Sequence, residues 1–295
     1  MIPEVRAAAA RLAAAGVASP RHDAEELAAH VLGVPRSRLA LLDRLPAPAA
    51  ARYAELVEQR AARVPLQHLT GIAGFRRLEL AVGPGVFVPR PETEVVVQWA
   101  LDTLGGVDDP LVVDLCAGSG AVALAIADEL PGARVHAVEL DPYALAWAER
   151  NVRSVGLPVT LHAGDVADPD LLAPLAGKVD VVTANPPYIP LGATVEPEVV
   201  EHDPPAALWA GPDGLDVVRA VVRTAARLLR PGGGLGIEHA DVQGDSVPAV
   251  LHGREWTDVA DSPDLAGRPR VTTARRRRPP ASPVRRGLAP GQEEK

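Results

Sequence analysis

The sequence predicts a doubly wound α/β fold, a mostly parallel seven-stranded sheet with helices on both faces, preceded by a small helical domain. Three observations predict it. From Pro91 onward, short apolar runs alternate with helix-length segments, and such alternation demands parallel strands joined by crossover helices. Before residue 70 the chain is Ala- and Leu-rich with helical spacing and no convincing strand. Between the first apolar run and the next helix stands Asp114-Leu115-Cys116-Ala117-Gly118-Ser119-Gly120, a glycine loop of the kind that closes a strand and opens a helix over a ligand.

Taken in order, residues 1–70 read as a helical bundle suited to docking a substrate. Ser19-Pro20 opens a helix, with Asp23, Glu25 and Glu26 in or near its first turn. Segments end near Gly16, Gly33 and Arg44, and a longer helix covers Ala49–Arg63. Residues 71–90 change period: Phe75, Leu78, Leu80 and Val82 nearly alternate, Gly83-Pro84-Gly85 supplies a turn, and Val86-Phe87-Val88 returns as a hairpin linker. Residues 91–274 form the α/β domain. Its expected strands are Leu111–Leu115, Arg134–Val138, Val159–His162, Val179–Thr183 and Leu235–Glu238, with two edge strands within Glu255–Thr273. Helices are expected over Glu92–Leu104, Ala121–Glu129, Pro142–Val155 and Leu215–Leu229. From Arg275 to Lys295 there is too little apolar content to fold, so a disordered tail is expected.

Composition narrows the function. Of 295 residues 47% are hydrophobic but only 3% aromatic, so the core is built from Ala, Val and Leu. The tail carries seven positive and two negative residues, a net +5 of the chain's −8, which leaves −13 on residues 1–274. An acidic body argues against a long nucleic-acid footprint, where clustered cations neutralise phosphates. It leaves a basic protein partner open. A single cysteine, Cys116, excludes an internal disulfide and suits a reducing compartment. No apolar run approaches the roughly 18 residues of a membrane span, and the N-terminus lacks the pattern of a signal peptide. The expectation is a soluble, cytoplasmic protein that does not act on membranes.

The chemistry-bearing motif is Asn185-Pro186-Pro187-Tyr188, directly after a buried-strand pattern. Asn185 offers a carbonyl acceptor, Pro186 and Pro187 stiffen the loop and expose a carbonyl, and Tyr188 adds a flat face with a polar tip. Together they form a slot for a planar –NH2 group. Upstream, the glycine loop and Glu139, 19 positions after Gly120, match a nucleoside cofactor whose ribose hydroxyls an acid grips. Gly164-Asp165-Val166 follows the third strand. There Asp165 suits an exocyclic amine and Val166 a ring face, although an Asx turn also explains Asp165. Cys116 has no neighbouring base in sequence and reads as a small loop residue rather than a nucleophile. Glu201-His202-Asp203 and Glu238-His239 lack metal-ligand spacing, so no metal is expected.

Several stretches together resemble one family, the methyltransferases that modify a glutamine of peptide chain release factors. They are Pro65-Leu66-Gln67-His68-Leu69-Thr70-Gly71, Val88-Pro89-Arg90-Pro91-Glu92-Thr93-Glu94, the Gly118–Gly120 loop, Asn185–Tyr188, Pro205–Trp209, and Gly214-Leu215-Asp216. Asn-Pro-Pro-Tyr alone is shared with adenine-N6 DNA methyltransferases; the Pro-Arg-Pro-Glu-Thr-Glu segment is far more specific. Departures are Cys116-Ala117 where Gly-Thr is usual, His68 for Tyr and Val166 for Trp. The resemblance implies a Rossmann-like fold and S-adenosylmethionine bound by Cys116, Ala117, Gly118, Ser119, Gly120, Glu139, Asp165, Val166 and Asn185. It implies a glutamine amide held by Asn185, Pro186, Pro187 and Tyr188. Arg90 and Glu92 are further candidates, while Gln67 and Thr70 are expected to stabilise the interdomain contact.

Overall fold

The computed structural model describes residues 2–278. Its N-terminal part packs α1 (Pro3–Ala14), α2 (Pro20–Leu32), a 3₁₀ turn (Arg36–Leu41), α3 (Ala47–Ala61) and the short α4 (Leu66–Thr70). Pro20 sits in the first turn of α2, where a missing N–H costs nothing, and Gly33 ends it at φ 63°. Leu12, Leu27, Ala28, Leu56 and Val57 close one core, and Tyr53 donates its hydroxyl to the Ala24 carbonyl at 3.0 Å. Asp23 stands in the first turn of α2, as expected, and is also buried against the Arg60 guanidinium at 2.7 Å.

A hairpin of β1 (Ile72–Phe75) and β2 (Leu78–Ala81) follows. Its turn is not Gly83-Pro84-Gly85, and Val86-Phe87-Val88 is not a return strand. Phe75 pairs with Leu78, so the chain reverses at Arg76-Arg77, with Arg76 at φ 52°. Contacts outside the hairpin hold that conformation: the Arg76 backbone N–H donates to Glu94 at 3.0 Å and its guanidinium to Glu129 at 2.7 Å.

The α/β part runs α5 (Glu94–Leu104), β3 (Leu111–Leu115), α6 (Ala121–Glu129), β4 (Arg134–Glu139), α7 (Pro142–Val155), β5 (Val159–Ala163), β6 (Val179–Ala184), α8 (Pro197–His202), α9 (Asp216–Leu228), β7 (Leu229–Glu238), α10 (Ser246–Val250), β8 (Trp256–Pro263) and β9 (Pro269–Arg276). The seven strands lie in the order β5-β4-β3-β6-β7-β9-β8. The first five are parallel, and β9 is antiparallel to both β7 and β8. Alternation of side chains sorts the core onto two faces. Leu111, Val113 and Leu115 pack with α9, whereas Val112 packs with α5 and α6. In β7, Gly236 gives Trp99 a flat bed, since a Cβ there would stand 2.5 Å from the indole.

Several boundaries differ from expectation by one or two residues, and three differences have a structural cause. The helix expected from Glu92 begins as a 3₁₀ turn at Pro91–Thr93, with α5 starting at Glu94. β7 starts at Leu229 rather than Leu235, because residues 230–233 bulge out between the Val179–Leu229 and Val181–Gly234 pairs. β9 continues through Arg275 and Arg276 into the expected tail, anchored where Arg276 Nε donates to the Ala226 carbonyl at 2.9 Å. Of that expected tail, 279–295 lies outside the described residues. Among the described residues no helix is long and apolar enough to cross a membrane.

Candidate active site

Register decides which residues meet. Leu115 at the end of β3 lies opposite Val138 of β4 and Ala184 of β6, and Ala184 lies opposite Ile237 of β7. One residue further along each strand come Cys116, Glu139, Asn185 and Glu238. All four line one cavity of about 1450 Å³ at the carboxyl edge of the sheet, the edge where doubly wound folds bind ligands. Helical-domain residues Ala18, Arg60 and Arg63 complete its wall.

The glycine loop enters the left-handed region three times, at Cys116, Gly118 and Gly120, with φ of 62°, 57° and 82°. Glycine takes that conformation without strain; Cys116 is the exception. Glu139 fastens the loop. Its Oε2 accepts from the Gly118 N–H and its Oε1 from the Asp141 N–H, both at 2.8 Å. A carboxylate has about four acceptor sites, so capacity remains toward the cavity. Burial raises the Glu139 pKa despite these bonds. It also pushes the Cys116 thiol well up, with the charges of Glu139 and Asp114 adding to the effect; a thiolate nucleophile is disfavoured there. Asp114, 1% exposed, accepts from Thr183 Oγ1 at 2.8 Å, and burial lifts its pKa to about 7.

Ala117, Ser119, Asp165 and Val166 also line the cavity, whereas Gly120 does not. Gly120 instead caps α6. Asp165 makes the Asx turn its sequence allowed, accepting from the Ala167 N–H at 2.8 Å, and its other oxygen is outside that turn. Asn185, Pro187 and Tyr188 face the cavity; Pro186 is buried behind them. The motif is held by its surroundings. The Tyr188 carbonyl accepts from Gln243 Nε2 at 3.0 Å. Ile189 bridges the Pro205–Trp209 segment, its N–H donating to the Leu208 carbonyl and its own carbonyl accepting from Ala210, both at 2.9 Å. Burial beside Glu238 raises the Tyr188 phenol, which stays neutral.

Arg90 and Glu92 both line the cavity. Arg90 donates to Asp203 at 3.1 Å and lies over the Phe87 ring, 5.2 Å from its centroid. Glu92 stands 3.6 Å from Arg268. His202 and Asp203 lie at the end of α8. Among the described residues no group of three His, Cys, Asp or Glu is placed to hold a metal ion.

Sequence reasoning missed Thr93, Glu238 and Gln243. Thr93, 3% exposed, receives the Asn185 Nδ2–H at 3.2 Å. The signal was present, because Thr93 belongs to the Pro-Arg-Pro-Glu-Thr-Glu segment in which only Arg90 and Glu92 had been singled out. Glu238 had been set aside with its neighbour His239, which in fact pairs with Asp261 at 2.6 Å. Missed too was the bolt between domains: Arg60 reaches Glu198 of α8 at 3.0 Å and Arg63 reaches it at 3.2 Å.

Comparison with known proteins gives the family. Residues 5–71 match the model described as PrmC N-terminal domain, and residues 79–244 match the methyltransferase small domain. The release factor glutamine methyltransferase of Streptomyces coelicolor is 55% identical over 286 residues, covering 95% of this chain and 99% of that protein. A 4-amino-L-phenylalanine/4-methylamino-L-phenylalanine methyltransferase of Streptomyces pristinaespiralis is 42% identical over 265 residues, covering 87% and 89%. Among solved structures, the T. thermophilus 16S rRNA N2 G1207 methyltransferase in complex with AdoMet and guanosine superposes with a TM-score of 0.50 at 24% identity. That match covers 70% of this chain and 50% of that one, and it is a likeness of fold, the Rossmann-like methyltransferase sheet. With both domain models in sequence order and 55% identity over nearly the full length of the S. coelicolor protein, the chain is an enzyme belonging to the release factor glutamine methyltransferase family.

Proposed function

We propose that this chain transfers a methyl group from S-adenosylmethionine to the side-chain amide nitrogen of the glutamine in the Gly-Gly-Gln motif of peptide chain release factors, in the cytoplasm. The observation that carries the reading is register: Asn185 follows the strand adjacent to the one that feeds the glycine loop, so amide slot and loop share one cavity.

The residues present fit the cofactor. The Cys116–Gly120 loop passes its backbone along the cavity, Glu139 retains acceptor capacity, and Asp114 Oδ2 is buried there without a hydrogen-bond partner. Cys116, Ala117, Gly118 and Ser119 would run beneath it while Gly120 turns the chain into α6, Glu139 would take its ribose, and Asp165 and Val166 its adenine. When bound, S-adenosylmethionine supplies a methyl group on a positively charged sulfur.

A glutamine amide nitrogen is a poor nucleophile, because its lone pair is delocalised into the carbonyl. Asn185 Oδ1 accepts one of its N–H groups and the Pro186 carbonyl the other. Of the two residues only Asn185 already lines the cavity, so it carries the larger share. Holding both hydrogens fixes the nitrogen in an attacking orientation, and acceptors that suit a pyramidalising nitrogen better than a planar one lower the barrier further. Pro187 stiffens the loop, and the neutral Tyr188 ring flanks the amide plane. Residues 1–70 serve to dock the factor, because their Arg60 and Arg63 already form part of the cavity wall. The 71–90 segment joins them to the 91–274 domain.

The test is transfer of labelled methyl groups to a release factor, beside the same factor with its Gly-Gly-Gln glutamine changed to alanine. Further lanes hold duplex DNA and 4-amino-L-phenylalanine, which also offers –NH2 on a planar group. Label confined to the intact factor supports the reading; label on DNA or on the amino acid overturns it.

A further inference from the structure

Resting on that reading, we propose that Thr93 and Glu238 are positioning residues that decide which end of the Asn185 amide faces the cavity. An Asn side chain has an acceptor end and a donor end of almost the same shape, and nothing in the Asn-Pro-Pro-Tyr motif itself chooses between them. The choice is made from two other elements. Thr93, in the turn before α5, places Oγ1 3.2 Å from Asn185 Nδ2. The buried Glu238 carboxylate, at the end of β7, lies beside the side chains of both Thr93 and Asn185.

An ionised carboxylate only accepts. With Glu238 ionised, the Thr93 hydroxyl hydrogen goes to the carboxylate, which leaves Oγ1 as an acceptor for Asn185. Both groups facing that end of the amide then demand its nitrogen. Turned over, the amide would set Oδ1 against a carboxylate and would lose its bond to Thr93. The relay therefore leaves Oδ1 for the cavity, as the methylation chemistry requires. Exposure agrees: Thr93 is 3% and Glu238 2% exposed, so water does not compete for these bonds. Glu238 Oε2 has no hydrogen-bond partner in its buried position, a costly arrangement for packing alone.

The facing charges are Arg270, which favours the ionised form of Glu238, and Glu92, which opposes it; the neutral Tyr188 phenol is close by. Burial outweighs Arg270 and brings the Glu238 pKa to about 7. Protonated, Glu238 can donate as well as accept, and the selection between the two amide orientations weakens.

The experiment compares Thr93→Val, Thr93→Ser and Glu238→Gln with the wild type in the full chain. Steady-state methylation of a release factor, S-adenosylmethionine binding by calorimetry and thermal unfolding are measured on each. Thr93→Val and Glu238→Gln are expected to lower kcat by about 10- to 100-fold, as misplacement of a reacting group does, while cofactor Kd changes less than about twofold. Thr93→Ser, which keeps the hydroxyl, is expected to restore kcat, and Glu238→Gln to flatten the acid limb of the kcat–pH profile. Wild-type kcat in Thr93→Val, or a loss that Thr93→Ser fails to restore, overturns the proposal. So does a fall in kcat that merely follows lost thermal stability. A separate readout needs no methyl acceptor: the ¹⁵N side-chain amide signal of Asn185 should exchange slowly in the wild type and faster in Thr93→Val. If the wild type methylates no release factor yet shows that difference, the substrate assignment fails and the positioning role stands. Equal exchange in the two proteins sinks the positioning role whatever the substrate.

Discussion

Asp114 and Thr183 face each other across the β3–β6 ladder, and the Thr183 hydroxyl donates to Asp114 Oδ1 at 2.8 Å, while Oδ2 stays buried without a partner. Burial raises the Asp114 pKa from 3.8 to about 7. Between those values the folded chain holds a proton that the unfolded chain has released. Stability from this group is therefore complete below the unfolded pKa and is lost as pH rises through about 7. Asp114→Asn should reduce the decline in unfolding free energy between pH 5 and pH 8, by on the order of 1–3 kcal/mol. Urea melts across that range measure it. Glu238, raised in the same direction, leaves a residual slope, so an unchanged slope in the variant rules out the role given to Asp114.

Asn185→Ala removes the acceptor of the amide slot while leaving the glycine loop and Glu139 in place. Methyl transfer to a release factor should fall by about 100-fold or more in kcat. Cofactor affinity should change by less than about tenfold. Calorimetry with S-adenosylmethionine alone separates the two effects, and loss of binding with turnover retained at saturating cofactor would contradict the assignment.

Glu139→Gln places an amide where Gly118 and Asp141 both present N–H groups. A Gln side chain has one acceptor oxygen, so one of those donors meets an NH2 group instead. The loop should loosen and the Kd for S-adenosylmethionine rise by about 10- to 100-fold, worth roughly 1.4–2.7 kcal/mol. Titration calorimetry reads this directly; an unchanged Kd would mean that Glu139 neither shapes the loop nor touches the cofactor.

Arg60→Met leaves Asp23 buried without its guanidinium and frees Glu198 from one of its two arginines. Removing one partner of a buried pair costs about 3–5 kcal/mol. The loss should be partly recovered by Asp23→Leu in the same chain, because the stranded charge, rather than the missing attraction, carries most of it. Chemical unfolding of the single and double variants tests this, and no recovery in the double variant argues against a stranded charge.

Sequence made the strand–helix alternation legible because apolar-rich segments such as Leu111–Leu115 and Val179–Ala184 are separated by helix-length stretches. It placed Asn185 and Glu139 at strand ends for the same reason. Thr93 was hidden by distance: 92 positions separate it from Asn185, and only the register of β6 beside β7, with α5 lying across both, brings them together. The hairpin turn misled because Gly83-Pro84-Gly85 is the stronger local turn signal, whereas Arg76-Arg77 is held by acids on α5 and α6 that a local pattern does not show. Asp23 was legible as a first-turn acid, but its burial against Arg60, 37 positions away, was not.

Each of the five arginines lining the cavity, Arg60, Arg63, Arg90, Arg268 and Arg270, is already engaged by a carboxylate of its own chain. Eleven Asp and Glu residues line the same cavity, so its wall holds more acid than base. It draws cations rather than anions, and a polyanion gains no freed counterions by settling there. Recognition favours a cationic surface, and stopped-flow association with a release factor that presents one should slow between dilute buffer and physiological ionic strength.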